Sequence, residues 1–314
     1  MSATTITLFD DRAAALQYAC APLKRLASGA LWSEGPVWLP AEQALLWSDI
    51  PNNRMLRWSE ADGLSVWRQS VGFSNGHTLA ADGSVLHCSH GHRAILRTPC
   101  RNGRLAAIEE VLVDRYQGRR LNSPNDLVVK RDGTIWFSDP PYGILSDREG
   151  QVAPQEQRHQ YVFRYDPADG QLDVVSDFVE DPNGLAFSPD ESILYVSDTS
   201  AARRVDGHHR IVAFDVVGGR SLANPRVFAE VAPGLPDGFR VSRNGWLYTS
   251  SSSGVQVYHP DGTRLALIPV PETVGNLTFD EHERALYILA TTSLYRLAFD
   301  RPAHSLGSRA TAST

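Results

Sequence analysis

An all-β fold, a six-bladed β-propeller with four-stranded blades closed by an N-terminal strand, is predicted by three features of this 314-residue chain. Six segments share one grammar, in which an acidic or amide residue, usually followed by Gly or Asp, opens a short apolar strand. A tight turn and a second β-rich run follow. The leading residues Glu34, Asn75, Asn125, Asn183, Asp237 and Asn276 lie 41, 50, 58, 54 and 39 residues apart, yet each stands 13 or 14 residues before the end of its own second run. A constant hairpin inside units of variable length is what a radial array of antiparallel sheets produces. Between the two runs stand Asp82-Gly83, Asp132-Gly133, Pro189-Asp190 and Asn244-Gly245, the residue types that tight hairpins require.

Residues 1–22 read as a lead-in packed outside the ring, with 9–16 short, Ala-rich and helix-prone. The propeller spans 23–299. Its six hairpins open at Glu34-Gly-Pro-Val-Trp, Asn75-Gly-His-Thr-Leu, Asn125-Asp-Leu-Val-Val, Asn183-Gly-Leu-Ala-Phe, Asp237-Gly-Phe-Arg-Val and Asn276-Leu-Thr-Phe. Further strands follow at 55–58, 94–97, 161–165, 210–214, 255–258 and 293–297. After residue 297 the chain is polar and poor in strand formers, so the last blade is one strand short. Segment 23–31 supplies that strand, since an open ring would leave sheet edges exposed. The tail 300–314 lies outside the ring, with 308–314 expected to be loosely ordered. The longest departure from the grammar, 145–160, falls inside one repeat and reads as a loop over one face, not as a linker between domains.

Composition removes several function classes. Lys and Arg number 30 against 36 Asp and Glu, a net charge of −6, with no basic stripe; that argues against a nucleic-acid surface. No apolar run approaches the roughly 18–20 residues of a membrane helix, and residues 1–11 have neither a basic start nor an apolar core. A soluble, cytoplasmic protein is expected. Cys20, Cys88 and Cys100 are odd in number and lack metal-ligand spacing, which fits a reducing compartment without disulfides. No phosphate-loop or dinucleotide motif occurs.

In a propeller the first strand of each blade lines the central channel, so the six leaders converge at one end of the axis. One Asx residue before a strand reads as a turn former; six at equivalent places form a ring of side-chain oxygens. Two carboxylates among amides suit a hard divalent cation. The residues just after the second runs, Asp49, His90, Asp139, Asp198, Ser251 and Thr291, are expected around the same mouth, able to orient ligands, hold another cation or move protons. Arg119, Arg120 and Tyr142 flank the third repeat on the expected substrate side. The basic run Arg203, Arg204, His208, His209 and Arg210 either attracts an acidic substrate or belongs to a solvated loop.

The stretches Ser33-Glu-Gly-Pro-Val-Trp38, Arg120-Leu-Asn-Ser-Pro-Asn-Asp126, Trp136-Phe-Ser-Asp-Pro-Pro-Tyr-Gly143, Asp181-Pro-Asn-Gly-Leu185 and Leu235-Pro-Asp-Gly238 resemble the gluconolactonase branch of the senescence-marker-protein, gluconolactonase and luciferin-regenerating-enzyme family. The resemblance covers roughly residues 23–297. It implies metal-dependent hydrolysis of a small-molecule sugar lactone to the aldonic acid. It also implies a divalent metal on Glu34, Asn183 and Asp237, with Asn125 close to metal and substrate; Ca²⁺ leads, and Zn²⁺, Mn²⁺ or Mg²⁺ are compatible. The metal polarises the carbonyl, and Asp237 activates water. His90 is the other candidate base, because a near-neutral imidazole suits proton transfer, although His77, His87 and His92 crowd the same region. Arg120 and Tyr142 join Asn125 as substrate-binding candidates. Animal members place an Arg two residues before the Asn of the Asn-Asp pair, where this chain has Ser123. The alternative function is a non-catalytic calcium-binding propeller.

Overall fold

The computed structural model describes residues 5–307. Six antiparallel sheets are arranged in a ring, and the first strands of successive blades, including the sixth and the first, touch one another around the axis. These first strands are Ser33–Leu39, Ser74–Leu79, Leu127–Val129, Pro182–Phe187, Phe239–Val241 and Val274–Phe279. The sixth blade is completed by Lys24–Ser28, which pairs antiparallel with Ser293–Ala298, Arg25 facing Tyr295. The propeller and its N-terminal closure are therefore as the sequence predicts.

Each blade is covered on both faces, which is why its middle strands read as nearly unbroken apolar runs. Among the described residues six hydrophobic clusters form, and each sits between two neighbouring blades. Trp38 of the first blade stacks on Tyr287 of the sixth at 5.0 Å, stitching the two ends of the ring. Between blades two and three, Phe163 stacks on Phe137 at 5.2 Å and meets Tyr116 edge-on at 5.3 Å. Phe163→Leu keeps the site apolar but removes these ring contacts and a third, edge-on to Tyr161 at 5.4 Å. It is expected to cost about 1 kcal/mol, read as a lowered unfolding midpoint in denaturant.

The lead-in is more structured than expected. Thr7–Leu8 pairs with Arg264–Pro269 and makes the fifth blade five-stranded. The helix expected over 9–16 is instead a 3₁₀ turn at Asp11–Ala13 and one helical turn at Leu16–Ala19. Ile6, Ala13, Leu16 and Ala19 are buried in the cluster between blades five and six, so packing decides where the turns fall. Two small hairpins are added: Cys100–Arg101 with Arg104–Leu105 joins the last two strands of the second blade, and Arg115–Tyr116 with Arg119–Arg120 precedes the third blade. The three cysteines are free. The expectation for 308–314 lies outside the described residues.

Candidate active site

A serine stands at the end of the second strand, or one residue from it, in five of six blades: Ser48, Ser89, Ser138, Ser197 and Ser250. Three of them work alike. Ser48, Ser138 and Ser197 donate to the main-chain carbonyls of Asn75, Asn183 and Asp237, the leaders of the next blades, at 2.9, 2.6 and 3.2 Å. Each hydroxyl thus ties one blade to its neighbour's leader, and the leader's side chain is held at the mouth.

The leaders meet in a cavity of about 400 Å³ lined by Glu34, Asn75, Asn125, Asn183 and Asp237. Asn276 is the exception, because the wall of the sixth blade is Thr273 and Val274. Its amide lies behind the wall and donates to Glu34 Oε2 at 2.9 Å. The Gly35 amide donates to the same oxygen at 2.9 Å, whereas the buried Oε1 has no hydrogen-bond partner. Gly275 leaves the space for it, since a Cβ there would stand 2.6 Å from Oε1. Burial and the nearby Asp237 push the Glu34 carboxyl well above its ordinary value. Burial likewise pushes Asp237 up to about 7, against the hydrogen bond from Asn183. Beneath them lies Asp126, 3.6 Å from Arg240, whose guanidinium reaches across the channel to the Pro36 carbonyl at 3.4 Å.

Three buried carboxylates therefore face one guanidinium, which leaves two negative charges uncompensated when all are ionised. An unpartnered carboxylate oxygen, a second carboxylate and the Asn183 and Asn125 amides fit a hard divalent cation. The structure brings Glu34, Asn183, Asp237 and Asn125 to one cavity.

His90 also lines the cavity. Its Nδ1 is 2.8 Å from the Glu149 carbonyl, which only accepts, so Nδ1 carries the proton. Nε2 is left as an acceptor 3.2 Å from Asn75 Nδ2. Burial lowers the imidazole to about 4 and keeps it neutral. The neighbouring histidines lie elsewhere: His77 Nδ1 is 2.6 Å from the Gly35 carbonyl, and His92 Nδ1 is 2.9 Å from Ser89 Oγ. Tyr142 opens a short helix, Tyr142–Leu145, and its hydroxyl lies 2.6 Å from Thr199 Oγ1. Thr199 in turn accepts from Asn183 Nδ2 at 3.3 Å.

Other expected site residues are not brought to the cavity. Arg120 spends its guanidinium on the His92 carbonyl at 2.7 Å, and Arg119 points toward Glu156. Asp49, Asp139 and Asp198 do not surround the mouth as a second ring. Each accepts main-chain N–H groups of its own blade's entry loop, from Leu31 at 2.9 Å, Asn122 at 2.8 Å and Asp181 at 3.4 Å. Of the six positions after the second runs, His90 alone lines the wall. The basic loop is no lure for an acidic substrate: Arg203 pairs with Asp181 at 3.1 Å, Arg204 with Glu180 at 2.9 Å and Arg210 with Asp198 at 3.7 Å.

The wall also carries residues absent from the expected set: Trp32, Ile50, Glu149, Thr199 and Leu235. Glu149 comes from the long loop of the third repeat, which close contacts fold over the mouth. A Cβ on Gly150 would lie 1.9 Å from the Gly143 carbonyl oxygen, and one on Gly143 would lie 2.4 Å from His90 Cβ. Ser123 explains the missing arginine. Its hydroxyl donates to the Pro140 carbonyl at 2.6 Å and accepts from Gly143 N–H at 2.9 Å, buried where a long cationic side chain has no room.

Residues 32–292 match the SMP-30/Gluconolactonase/LRE-like region. A gluconolactonase of Zymomonas mobilis is 34% identical over 311 residues, 93% of this chain and 85% of the relative. A pentonolactonase of Haloferax volcanii is 29% identical, covering 78% and 76%. The solved structure of a gluconolactonase from Xanthomonas campestris superposes with a TM-score of 0.85 at 41% identity over 94% of both chains. With gluconolactonases, lactonohydrolases and a pentonolactonase as its relatives, this six-bladed propeller is a hydrolase of the lactonase class. The chain belongs to the SMP-30/gluconolactonase/LRE-like family. Among the described residues no helix is long and apolar enough to cross a membrane.

Proposed function

We propose that this chain hydrolyses a sugar lactone to the aldonic acid with a divalent cation held by Glu34, Asn183 and Asp237, Asn125 beside it, Ca²⁺ being the ion its donors suit best. The observation that carries this reading is the pair of buried carboxylates at the axis, one with an unpartnered oxygen, opening into a cavity of monosaccharide size. Glu34, Asn183 and Asp237 would hold the cation, which would supply Lewis-acid stabilisation of the negative charge that develops on the lactone carbonyl oxygen. The three free cysteines support a reducing compartment, the cytoplasm.

The chain's own residues supply the rest. Trp32, Ile50, Leu235 and Val274 give the cavity an apolar side that covers the ring and excludes water. Asn125 and the Tyr142 hydroxyl meet its polar groups. Water adds to the carbonyl carbon and gives up a proton, the ring C–O bond breaks, and the ring oxygen leaves as a hydroxyl. Asp237 takes the water's proton. His90, neutral and with Nε2 as an acceptor, is the second group placed to move one.

Hydrolysis of hexono-1,5- and pentono-1,4-lactones above their spontaneous rate, followed in weak buffer with a pH indicator, tests the reaction class. Failure with all of them and every divalent ion overturns it. His90→Gln separates the two proton carriers. Unchanged metal affinity with kcat lowered at least roughly tenfold is expected if His90 shuttles protons, and an unchanged kcat assigns the step to Asp237 alone.

A further inference from the structure

Among the described residues no Lys or Arg lines the mouth cavity. The guanidiniums around the rim and floor are engaged: Arg54 with Asp49 at 2.8 Å, Arg203 with Asp181 at 3.1 Å, and Arg240 beneath the floor with Asp126 at 3.6 Å; the exposed Arg148, next in the chain to Glu149, acts on that carboxyl from off the wall. His90 on the wall is neutral. Glu149 nonetheless lines the same cavity as Glu34 and Asp237, with its carboxylate close enough for its charge to raise Asp237. Its backbone is fixed on both sides. The Glu149 carbonyl accepts from His90 Nδ1 at 2.8 Å, and Gln151 N–H and Ala153 N–H donate to the Gly143 and Ile144 carbonyls at 2.9 and 3.1 Å. Gly150 lies against Gly143 with no room for a side chain. The charge of a cation held there would be offset by Glu34 and Asp237, so the loop adds one further negative charge to the wall of a cavity lined by no cationic side chain.

We propose that Glu149 is a charge-selectivity residue: it accepts hydrogen bonds from the hydroxyls of a neutral polyhydroxylated substrate and repels anions, both lactones with a carboxylate or phosphate tail and the aldonate that the reaction makes. The inference rests on the lactonase reading. Hydrolysis turns a neutral ring into a carboxylate and a proton, so the product differs from the substrate by one full charge formed inside the cavity. A fixed carboxylate in surroundings of low dielectric weakens the anion's binding and leaves the neutral molecule's intact. The same side chain favours entry of the neutral lactone and departure of the acid.

Calorimetric binding tests this without turnover. The metal-loaded protein is titrated with a neutral hexitol and with the corresponding aldonate, as wild type, Glu149→Gln and Glu149→Asp. Removing the charge is expected to tighten aldonate binding roughly five- to tenfold while hexitol affinity moves less than about twofold, and Glu149→Asp is expected to keep the wild-type discrimination. In turnover, Glu149→Gln is expected to deepen product inhibition by the same factor and to narrow the kcat/KM ratio between a neutral lactone and its 6-carboxylated analogue. Unchanged or weaker aldonate binding in Glu149→Gln overturns the proposal, as does an equal change for hexitol and aldonate. A wild type that discriminates in binding yet hydrolyses no lactone overturns the lactonase reading and leaves the charge selectivity standing.

Discussion

Asp237→Ala is expected to lower kcat/KM for a sugar lactone by at least about a thousandfold, or about 4 kcal/mol of transition-state stabilisation, and to weaken divalent-cation binding in the same protein. Both effects come from one carboxylate. Asp237 stands at the axis beside Asn183 and Glu34, contributes half of the ring's carboxylate charge, and is the group assigned the water's proton. Loss of folding does not explain such a result in advance, because Asp237 is a buried carboxyl among acids: its charge raises Glu34, and burial, Glu149 and Asp126 raise Asp237 itself. Removing one relieves repulsion, so the variant's melting temperature in chelator is expected to be no lower than that of wild type. Calorimetric metal titration alongside kinetics checks the pair of outcomes. Normal turnover in Asp237→Ala would refute the site.

Metal removal has the second large effect, and its sign follows from the same pair. The Asp237 carboxyl is raised from 3.8 to about 7, and that of Glu34 is raised in the same direction. The folded state then binds more protons than the unfolded chain, and stability falls as pH rises. The contribution is fully present below the unfolded value near 4 and is lost as pH climbs through about 7. In chelator the melting temperature is expected to drop between those limits by on the order of 5 °C. Divalent cation is expected to restore it at pH 7 to 8 and to do little at pH 4, where protons occupy the carboxylates. Asp139, raised by burial to about 7, lies away from the cavity and leaves a residual slope that metal does not remove. A melting temperature in chelator that is flat or rises over this range, or one indifferent to cation at pH 8, would contradict the pairing.

Much of this was legible in the sequence, for physical reasons. The hairpin length is constant because every blade spans the same depth, and the chain after residue 297 lacks strand formers because the closing strand comes from the other end. The leader ring was readable in five blades. In the sixth, the other leaders' rule of preceding Gly or Asp points to Val274 before Gly275, whereas Asn276 follows that glycine; the apolar residue hid the register. The serine at the end of five of the second strands, or one residue from it, was also visible, yet its meaning depends on a hydroxyl reaching a carbonyl of the next blade, which no single hairpin shows. Asp49, Asp139 and Asp198 were misplaced because their partners are main-chain N–H groups of entry loops. Arg120 and Glu149 exchanged importance for a similar reason. The loop's path is set by Gly143 and Gly150 meeting in space, and that contact turns Glu149 inward while Arg120 caps a carbonyl on the rim.

The most direct measurement is a Ca²⁺ titration of chelator-stripped protein in which bound ion and glucono-δ-lactone hydrolysis are read in the same samples. Stoichiometric binding at a single site is expected, with the rate rising from the spontaneous background in proportion to occupancy. Full turnover in the stripped protein, or a filled site with no rate above background, would contradict a metal-dependent lactonase built on Glu34, Asn183 and Asp237.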